Sequence, residues 1–407
     1  MSLIQNLCLL LIMAHLLGKF AARLGQPELL GHMTAGVLLG PAWLDWVNAD
    51  SQLNMFSDLA VLMVVISAGL EMRLGSVAAM FVGRGLLGLM PSILLPAAAG
   101  LALALYFEQS MLSATVTALC VSVTALPVAL RILASFRMIG THIAQLTIAS
   151  ALLGDVLILL GLGVLSAQVK GSSPSTGWLL GLSLLKLMAL LSLVVIGALL
   201  CKRIYRQRAF QPRRLAAAQL SFALLLILGL AAASDALGLH FAIGAFLGAL
   251  TVSEFHNAIR HDADANDSTA HHPLRTQLDG MSNVIFAPLF LACQGTHFTV
   301  SSLTHPAFTL SLTVIAIATK MIGGYWGGRI LGQSPYEARG TAIVVNARGV
   351  MEMVVASIAF RAGLVDQAMF STLLIMGMVT TLLTPVLLKR WQRGEASSIA
   401  AKTHVEM

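Results

Sequence analysis

The chain has 407 residues, of which 57% are hydrophobic and only 11% are charged, and its mean hydropathy is +0.85. Soluble globular proteins carry about 25% charged residues, so this composition excludes a soluble enzyme. The net charge of +7 does not indicate a nucleic-acid partner, because the basic residues form no single patch with interleaved aromatic residues. The composition predicts an all-α polytopic protein embedded in the lipid bilayer.

Runs of about 20 apolar residues, long enough to cross a bilayer, predict thirteen transmembrane helices. The first seven cover residues 3–22, 28–45, 55–73, 80–106, 110–134, 141–167 and 177–201. The last six cover residues 213–234, 238–255, 281–298, 305–330, 337–361 and 367–390.

The basic residues predict the orientation of these spans. Twenty of the 25 Lys and Arg residues lie in loops after odd-numbered spans or in the C-terminal tail, whereas only Lys170 and Arg361 lie on the opposite side. Because basic loops are retained in the cytoplasm, we expect a multi-pass protein of the cell (inner) membrane. Its N-terminus is predicted to be outside and its C-terminus cytoplasmic.

Two segments share the pattern His-x3-Gly-x3-Gly: His32–Gly40 in span two and His240–Gly248 in span nine. Small residues on one face let helices approach closely, and simple packing is the alternative explanation. The copies are seven spans apart, an odd number, so the second copy is inverted, as in the inverted repeats of secondary transporters. Spans one to six then correspond to spans eight to thirteen, and span seven is a linker.

Span five contains a polar interruption, in which Ser122-Val-Thr124 precedes Pro127. Proline removes a backbone donor and crowds the carbonyl one turn back, and neighbouring Ser and Thr side chains can satisfy the freed groups. Two interpretations remain open here: a simple proline kink, or an unwound segment that offers carbonyl groups to a cation.

Spans six and eleven each contain an isolated charge. Asp155 is the one charged residue in a run of more than twenty residues, and Lys320 lies some fifteen residues into its span. Intramembrane charges are costly and mark ion pathways. A carboxylate can hold either a proton or a monovalent cation, so Asp155 is the predicted ion site. By sign, the expected partner of Lys320 is Asp155, and a lysine that snorkels to the interface is the alternative.

Span twelve contains Asn346-Ala-Arg348-Gly349, a sequence that would break a helix, followed by Glu352. Arg348 and Glu352 are four residues apart and therefore share a helix face. An internal ion pair and a gating role both remain open. Span twelve corresponds to span five in the predicted repeat, and paired interrupted spans indicate the binding site of a transporter.

The remaining features carry less weight. The hydrophilic stretch 256–277 contains four histidines; it could sense pH or bind a metal, and a solvated loop is the favoured interpretation. Neither a Walker loop nor a Rossmann fingerprint is present. Transport driven by ion gradients is therefore expected, without a cofactor or an enzymatic reaction.

Taken together, these motifs resemble the monovalent cation:proton antiporter-2 family, which includes Kef-type and NapA-like Na⁺(K⁺)/H⁺ exchangers. The resemblance runs from about Leu16 to Leu388. The motifs that carry it are, in chain order, Leu30–Pro41, Ser67–Glu71, Ser122–Leu133, the Asp155 segment, Gly244–Gly248, Ala287–Phe290, Lys320 and Asn346–Glu352.

The resemblance implies a homodimer that exchanges Na⁺ or K⁺ for H⁺ by alternating access. It implies a monovalent cation at Asp155, near Thr124 and Ser122 and beside two crossed broken helices. The scaffold panel would comprise residues 1–75 and 211–300. The moving core transport domain would comprise residues 76–168 and 301–392. Residues 169–210 would be a linker helix and residues 393–407 a cytoplasmic tail.

One position departs from the family pattern. Gly154 stands where electrogenic members carry the first of two adjacent acids, the one paired with the lysine that matches Lys320. A single carboxylate predicts electroneutral exchange. A Lys320 that releases a proton when the cation binds would instead give a two-to-one stoichiometry, and the choice among Na⁺, K⁺ and Li⁺ stays open.

Two other functions are compatible with the same architecture. A sodium-coupled organic-solute symporter would need a cavity richer in Asn, Gln and Ser than these spans provide. A gated cation channel would need an acidic ring or a carbonyl filter, and the sequence suggests neither.

Overall fold

The computed structural model describes residues 2–48, 50–71, 83–138, 140–170, 216–237, 241–262, 280–300 and 306–405, with a few isolated positions between these ranges. Most of predicted span seven, most of the hydrophilic stretch 256–277, and His240 lie outside the described residues. The backbone of Asp155 and of Pro127 is described, but their side chains are not.

Within these ranges the protein is helical, as predicted. The first half contains α1 (Leu3–Arg23), α2 (Glu28–Leu39), α3 (Ser51–Glu71), α4 (Arg84–Tyr106), α5 (Met111–Ser122), α6 (Leu126–Ser135) and α7 (His142–Lys170). The second half contains α8 (Ala216–Ala236), α9 (Phe241–Asp262), α10 (Ala287–Thr296), α11 (Pro306–Ile330), α12 (Pro335–Val344), α13 (Val350–Arg361) and α14 (Gln367–Val405), with a π-helical turn at Ser282–Phe286 before α10.

Five of the described helices are long and apolar enough to cross a membrane, namely α1, α4, α11 and the apolar parts of α3 and α14. Shorter apolar helices accompany them, among them α2, α5 and parts of α7, α8 and α9. An all-α polytopic protein is therefore confirmed, whereas the count of thirteen spans and the inverted repeat stay predictions.

Local sequence signals fix where several helices begin. Ser2 and Gln5 form a reciprocal capping box at α1, and Ser334 and Glu337 form another at α12. Ser110 accepts a hydrogen bond from the backbone N–H of Ser113 at the start of α5, with a donor–acceptor distance of 3.2 Å. Such caps satisfy backbone donors that have no partner within the helix.

Two predicted spans are discontinuous. Span five divides into α5 and α6, separated by residues 123–125, and span twelve divides into α12 and α13, separated by residues 345–349. Pro127 is the second residue of α6, where its missing N–H removes no helical hydrogen bond. The unwound segment, rather than a simple proline kink, is therefore the structure of span five.

Glycines allow the close helix contacts that the His-x3-Gly-x3-Gly pattern predicts. A Cβ atom on Gly36 of α2 would overlap the carbonyl of Ala292 in α10 and lie 2.8 Å from Cα of Gly295. A Cβ atom on Gly244 of α9 would likewise overlap the carbonyl of Leu230 in α8. Both copies of the pattern therefore lie at tight helix interfaces.

The helices pack in two groups. In the first, α1 and α2 pack together and against α10, and α9 packs against α3 and α8; we call α1–α3 and α8–α10 the panel helices. In the second, α4 packs against α5 and α11, and α12 packs against α7, α11 and α14; we call α4–α7 and α11–α14 the core helices. The predicted domain boundaries stay predictions.

Candidate functional site

The two breaks lie against each other among the core helices. The backbone N–H of Ala125 donates to the carbonyl of Ala347 at 2.9 Å, and the hydroxyl of Thr124 donates to the carbonyl of Val345 at 2.8 Å. We call this contact the crossing. It is closed to solvent, since Thr124 is 1% exposed and Asn346 is 0% exposed.

Two buried cations lie at the C-terminal end of α5. The guanidinium of Arg348 donates to the carbonyls of Cys120 and Val121 at 2.7 and 2.6 Å, and the ammonium of Lys320 donates to the carbonyl of Ser122. The last carbonyls of a helix carry partial negative charge and have few partners of their own. Arg348 and Lys320 therefore neutralise the end of the broken helix.

This contact gives Lys320 a partner other than the predicted one. Charge alone suggested Asp155 as its partner, whereas the structure shows the carbonyl of Ser122. Because the side chain of Asp155 is not described, its pairing with Lys320 stays a prediction.

Arg348 also contacts Glu352. Their side chains are fully buried and form an ion pair of 3.4 Å through Oε1 of Glu352. The second carboxylate oxygen has no hydrogen-bond partner among the described residues. The absence of a side chain on Gly377 leaves room for this oxygen, since a Cβ atom there would lie 3.0 Å from it. The predicted ion pair is present, and a gating role stays a prediction.

The hydroxyls of the two predicted ion ligands already have partners. Ser122 donates to the carbonyl of Leu119 in its own helix at 2.8 Å, whereas Thr124 donates across the crossing to Val345. A hydroxyl that donates still has oxygen lone pairs that can face a cation. Thr124 retains the geometry of a candidate ligand within the crossing, and Ser122 contributes its carbonyl to Lys320.

Asp155 lies on α7, which packs against α6, α12 and α13 and thus beside both broken spans. The preceding residue, Gly154, is buried, and among the described residues no atom lies within 4 Å of a Cβ placed there. Four residues before Gly154, Ser150 shares a hydrogen bond of 2.7 Å with Ser92 of α4. This buried pair was not predicted, although both serines interrupt apolar runs.

A cavity of about 690 Å³ lies between panel and core helices, on the side predicted to face the cytoplasm. It is lined by Ala22, Gly25, Gln26, Pro27, Glu28, Leu29, Val128, Ile132, Phe136, Pro385 and Lys389. A Cβ atom on Gly349 would lie 2.7 Å from Cγ2 of Val128 and 3.6 Å from Cδ2 of Leu29. Two residues that line the cavity, Val128 and Leu29, therefore lie between it and the second break.

On the opposite side, polar contacts join the panel to the core. Arg361 at the end of α13 forms an ion pair with Asp58 of α3, and Gln367 of α14 donates to the carbonyl of His297, the residue after α10. The ring of His297 packs edge-on against Phe360 at a centroid distance of 5.5 Å. We call these contacts the outer contacts. Their one sequence signal was Arg361, a rare basic residue on the predicted outer side.

The chain matches a known protein family over most of its length. The transmembrane sodium/hydrogen exchanger family matches residues 9–391. The chain belongs to this family. The wider resemblance found in the sequence is therefore confirmed, and membership of its antiporter-2 branch stays a prediction.

Two relatives match this chain over almost their whole length. The chain is 26% identical over 400 residues to a Na⁺/H⁺ antiporter of Enterococcus hirae, covering 96% of this chain and 98% of that protein. It is 25% identical over 388 residues to the Na⁺/H⁺-K⁺ antiporter GerN of Bacillus cereus, covering 94% and 95% of the two chains.

A solved structure supports the fold. The sodium proton antiporter MjNhaP1 of Methanocaldococcus jannaschii, determined at pH 8, aligns with a TM-score of 0.69 and 17% identity. The alignment covers 95% of each chain. The fold of this exchanger-family chain is thus that of a Na⁺/H⁺ antiporter.

Proposed function

We propose that the protein is a secondary active antiporter that exchanges Na⁺ or K⁺ for H⁺. The observation that carries this proposal is the crossing of two broken helices, with buried Arg348 and Lys320 on its carbonyls, beside the helix that holds Asp155. Interrupted helices of this kind form the ion sites of secondary transporters. Relatives over the full length of the chain are named Na⁺/H⁺ and Na⁺/H⁺-K⁺ antiporters.

In the proposed cycle, Asp155 holds either a proton or a cation, so the two ions compete for one site. Arg348 and Lys320 stabilise the carbonyl end of α5, which leaves the carboxylate of Asp155 as the charge that changes with ion loading. Exchange follows from this competition, because only a site that holds a proton or a cation moves between the two sides of the membrane. Thr124 lies within the crossing and assists the cation.

Alternating access is supported by the asymmetry between the two sides of the protein. A cavity separates panel from core on the predicted cytoplasmic side, with Val128 and Leu29 between it and the second break, while the outer contacts join panel and core on the other side. The core helices then move against the panel as a rigid body, closing the cavity and breaking the outer contacts.

We further propose that exchange is electroneutral. Gly154 leaves a single carboxylate at this position of α7. We infer that Lys320, whose ammonium donates to the carbonyl of Ser122, stays protonated throughout the cycle and therefore adds no second proton to the exchange.

The cellular setting is part of the same proposal. The protein is a homodimer of the cell (inner) membrane, with its N-terminus outside and its C-terminus in the cytoplasm, and it contributes to pH homeostasis. The face of α1 offers apolar surface for a second copy or for lipid, with Ile4 72% and Leu16 59% exposed.

The two other functions are not favoured. An organic-solute symporter needs a polar cavity, whereas the polar side chains that line this one are those of Gln26, Glu28 and Lys389. A gated channel would pass current without proton coupling, and the relatives over the full chain are antiporters.

Transport by reconstituted vesicles tests the proposal. In vesicles loaded with a pH-sensitive dye and acidified inside, adding Na⁺, K⁺ or Li⁺ separately should dissipate the pH gradient for at least one of the three ions. Asp155→Asn, which cannot be ionised, should abolish the response while the purified protein stays monodisperse. Full exchange by this variant, or the absence of a response to any of the three ions in the wild type, would refute the proposal.

A further inference from the structure

We propose that the side chain of Asn346 is a ligand of the transported cation, and that its neutral oxygen favours the cation over the proton at the crossing. This inference rests on the proposed function, because it assigns a ligand to the same ion pathway. Two observations support it. The side-chain amide of Asn346 has no hydrogen-bond partner among the described residues, whereas the backbone carbonyls around it already accept hydrogen bonds.

The amide of Asn346 is buried without a partner. The residue is 0% exposed, and neither Oδ1 nor Nδ2 has a hydrogen-bond partner among the described residues. Buried polar groups are almost always paired, because an unpaired one costs its full desolvation. An amide in this state at the break of a transporter helix is therefore expected to bind something that the protein itself does not supply.

The backbone carbonyls of the crossing are already acceptors. Six backbone carbonyls here each accept a hydrogen bond. At the first break, the carbonyls of Cys120 and Val121 accept from Arg348, and that of Ser122 accepts from Lys320. In the second break, the carbonyls of Val345, Ala347 and Arg348 accept from Thr124, Ala125 and Thr381, respectively. Val345 and Ala347 flank Asn346 directly, so the backbone on either side of it is engaged. The carboxamide oxygen of Asn346 is thus a neutral oxygen at the crossing that no described donor occupies.

The position of Asn346 suits a shared ion pathway. It lies between α12 and α13, and both helices pack against α7, which holds Asp155. Amide and carbonyl oxygens are good ligands for hard cations. An amide oxygen does not take up a proton in the physiological range, so it stabilises the cation-loaded site and contributes nothing to the protonated one.

Asn346→Ala tests the inference through the competition between the two ions. In vesicles, the apparent KM for the cation should rise at least tenfold at every pH. The proton affinity, taken from the dependence of this KM on proton concentration, should stay within a factor of two of the wild type. Asn346→Ser, which also lacks the carboxamide, should show the same rise and serves as a second small variant. Asn346→Asp keeps the oxygen and should restore a low KM at high pH.

A structural role would give a different result. Asn346 loses no hydrogen bond to described residues on truncation, so its variants should melt in detergent at or above the wild-type temperature. Thr313→Val is the matched control, because it removes a buried hydroxyl on α11 that donates to the carbonyl of Thr309 at 2.8 Å within its own helix. This control should leave the KM unchanged.

The outcomes separate this inference from the proposed function. The role of Asn346 would be overturned if the cation KM of Asn346→Ala and Asn346→Ser stayed within a factor of two of the wild type. It would also be overturned if their proton affinity changed by the same factor as their cation KM. If the wild type exchanges ions and Asp155→Asn does not, that result leaves the proposed function standing. A wild type without exchange would refute both.

Discussion

The ammonium of Lys320 donates a hydrogen bond to the carbonyl of Ser122, the residue with which α5 ends. Arg348 binds the two carbonyls that precede it. Two cations from the second half of the chain thus complete a broken helix in the first half. These buried charges stabilise the site itself, in addition to any effect on a bound ion.

The double variant Lys320→Met with Asp155→Asn distinguishes the observed partner of Lys320, the carbonyl of Ser122, from the predicted one, Asp155. Lys320→Met alone leaves a buried carbonyl without its donor, which costs about 1–3 kcal/mol. If the Ser122 carbonyl accounts for the stabilising effect of Lys320, the losses in unfolding free energy of the two single variants should add in the double variant. The coupling energy between the two substitutions should then be below about 0.5 kcal/mol. Thermal unfolding in detergent measures it. A coupling well above that value would instead show an ion pair between Lys320 and Asp155.

Removing Arg348 alone should be more damaging than removing Arg348 and Glu352 together. Arg348→Met leaves the fully buried carboxylate of Glu352 unpaired, and breaking a buried pair in this way costs about 3–5 kcal/mol. Arg348→Met with Glu352→Leu should recover part of the loss, although the carbonyls of Cys120 and Val121 remain unpaired. Yield of monodisperse protein and melting temperature are the measurements. Equal damage in the single and double variants would show that the carbonyl contacts dominate.

Gly154→Asp should be accepted by the fold and should make exchange sensitive to voltage. No described atom lies within 4 Å of a Cβ at this position, and replacing a mid-helix glycine also removes its penalty in backbone entropy. A second carboxylate beside Asp155 would allow an additional proton to move with each cycle. Rates in liposomes with an imposed potassium diffusion potential test this.

Gly154→Asn is the matched neutral control, because it has the same shape without the charge. It should exchange at a rate indifferent to the imposed potential, as should the wild type. Voltage sensitivity of the wild type would contradict electroneutral exchange, and a voltage-insensitive Gly154→Asp variant would contradict the role of the second acid.

Cross-linking the outer contacts should arrest exchange. In a cysteine-free background, Asp58→Cys with Arg361→Cys places thiols at positions that form an ion pair between panel and core. A bis-methanethiosulfonate cross-linker long enough to replace the arginine side chain should stop transport, because the core can then no longer move against the panel. A reductant, which cleaves the two mixed disulfides, should restore transport. Thr309→Cys with Thr372→Cys is the control, since these hydroxyls lie 3.0 Å apart within the core helices. Arrest in both pairs would argue against rigid-body motion of the core.

The sequence predicted the broken helices because their causes are side-chain properties. Proline in span five and the Asn-x-Arg-Gly segment in span twelve each disfavour a continuous helix, and the structure has both breaks where these residues occur. The helical class followed from composition alone, since every backbone group in a bilayer needs an internal partner.

The partners of the buried charges could not be predicted in the same way. Every residue has a carbonyl, so nothing in the sequence marks Ser122 as the acceptor for Lys320. Asp58 was equally hidden, because an acidic residue near a helix end has the pattern of an ordinary solvated position. The arrangement of panel and core that brings Asp58 to Arg361 is set by packing between distant segments.

The crossing also imposes an order on the biogenesis of the protein. Thr124 and Val345 are 221 positions apart in the chain, so α5 and α6 enter the membrane long before their partners are synthesised. Until then, the carbonyls of Cys120, Val121 and Ser122 lack the donors of Arg348 and Lys320, and exposed carbonyls in hydrocarbon are costly. The first half of the chain must therefore wait, shielded by water, lipid headgroups or the insertion machinery, until the second half has been inserted.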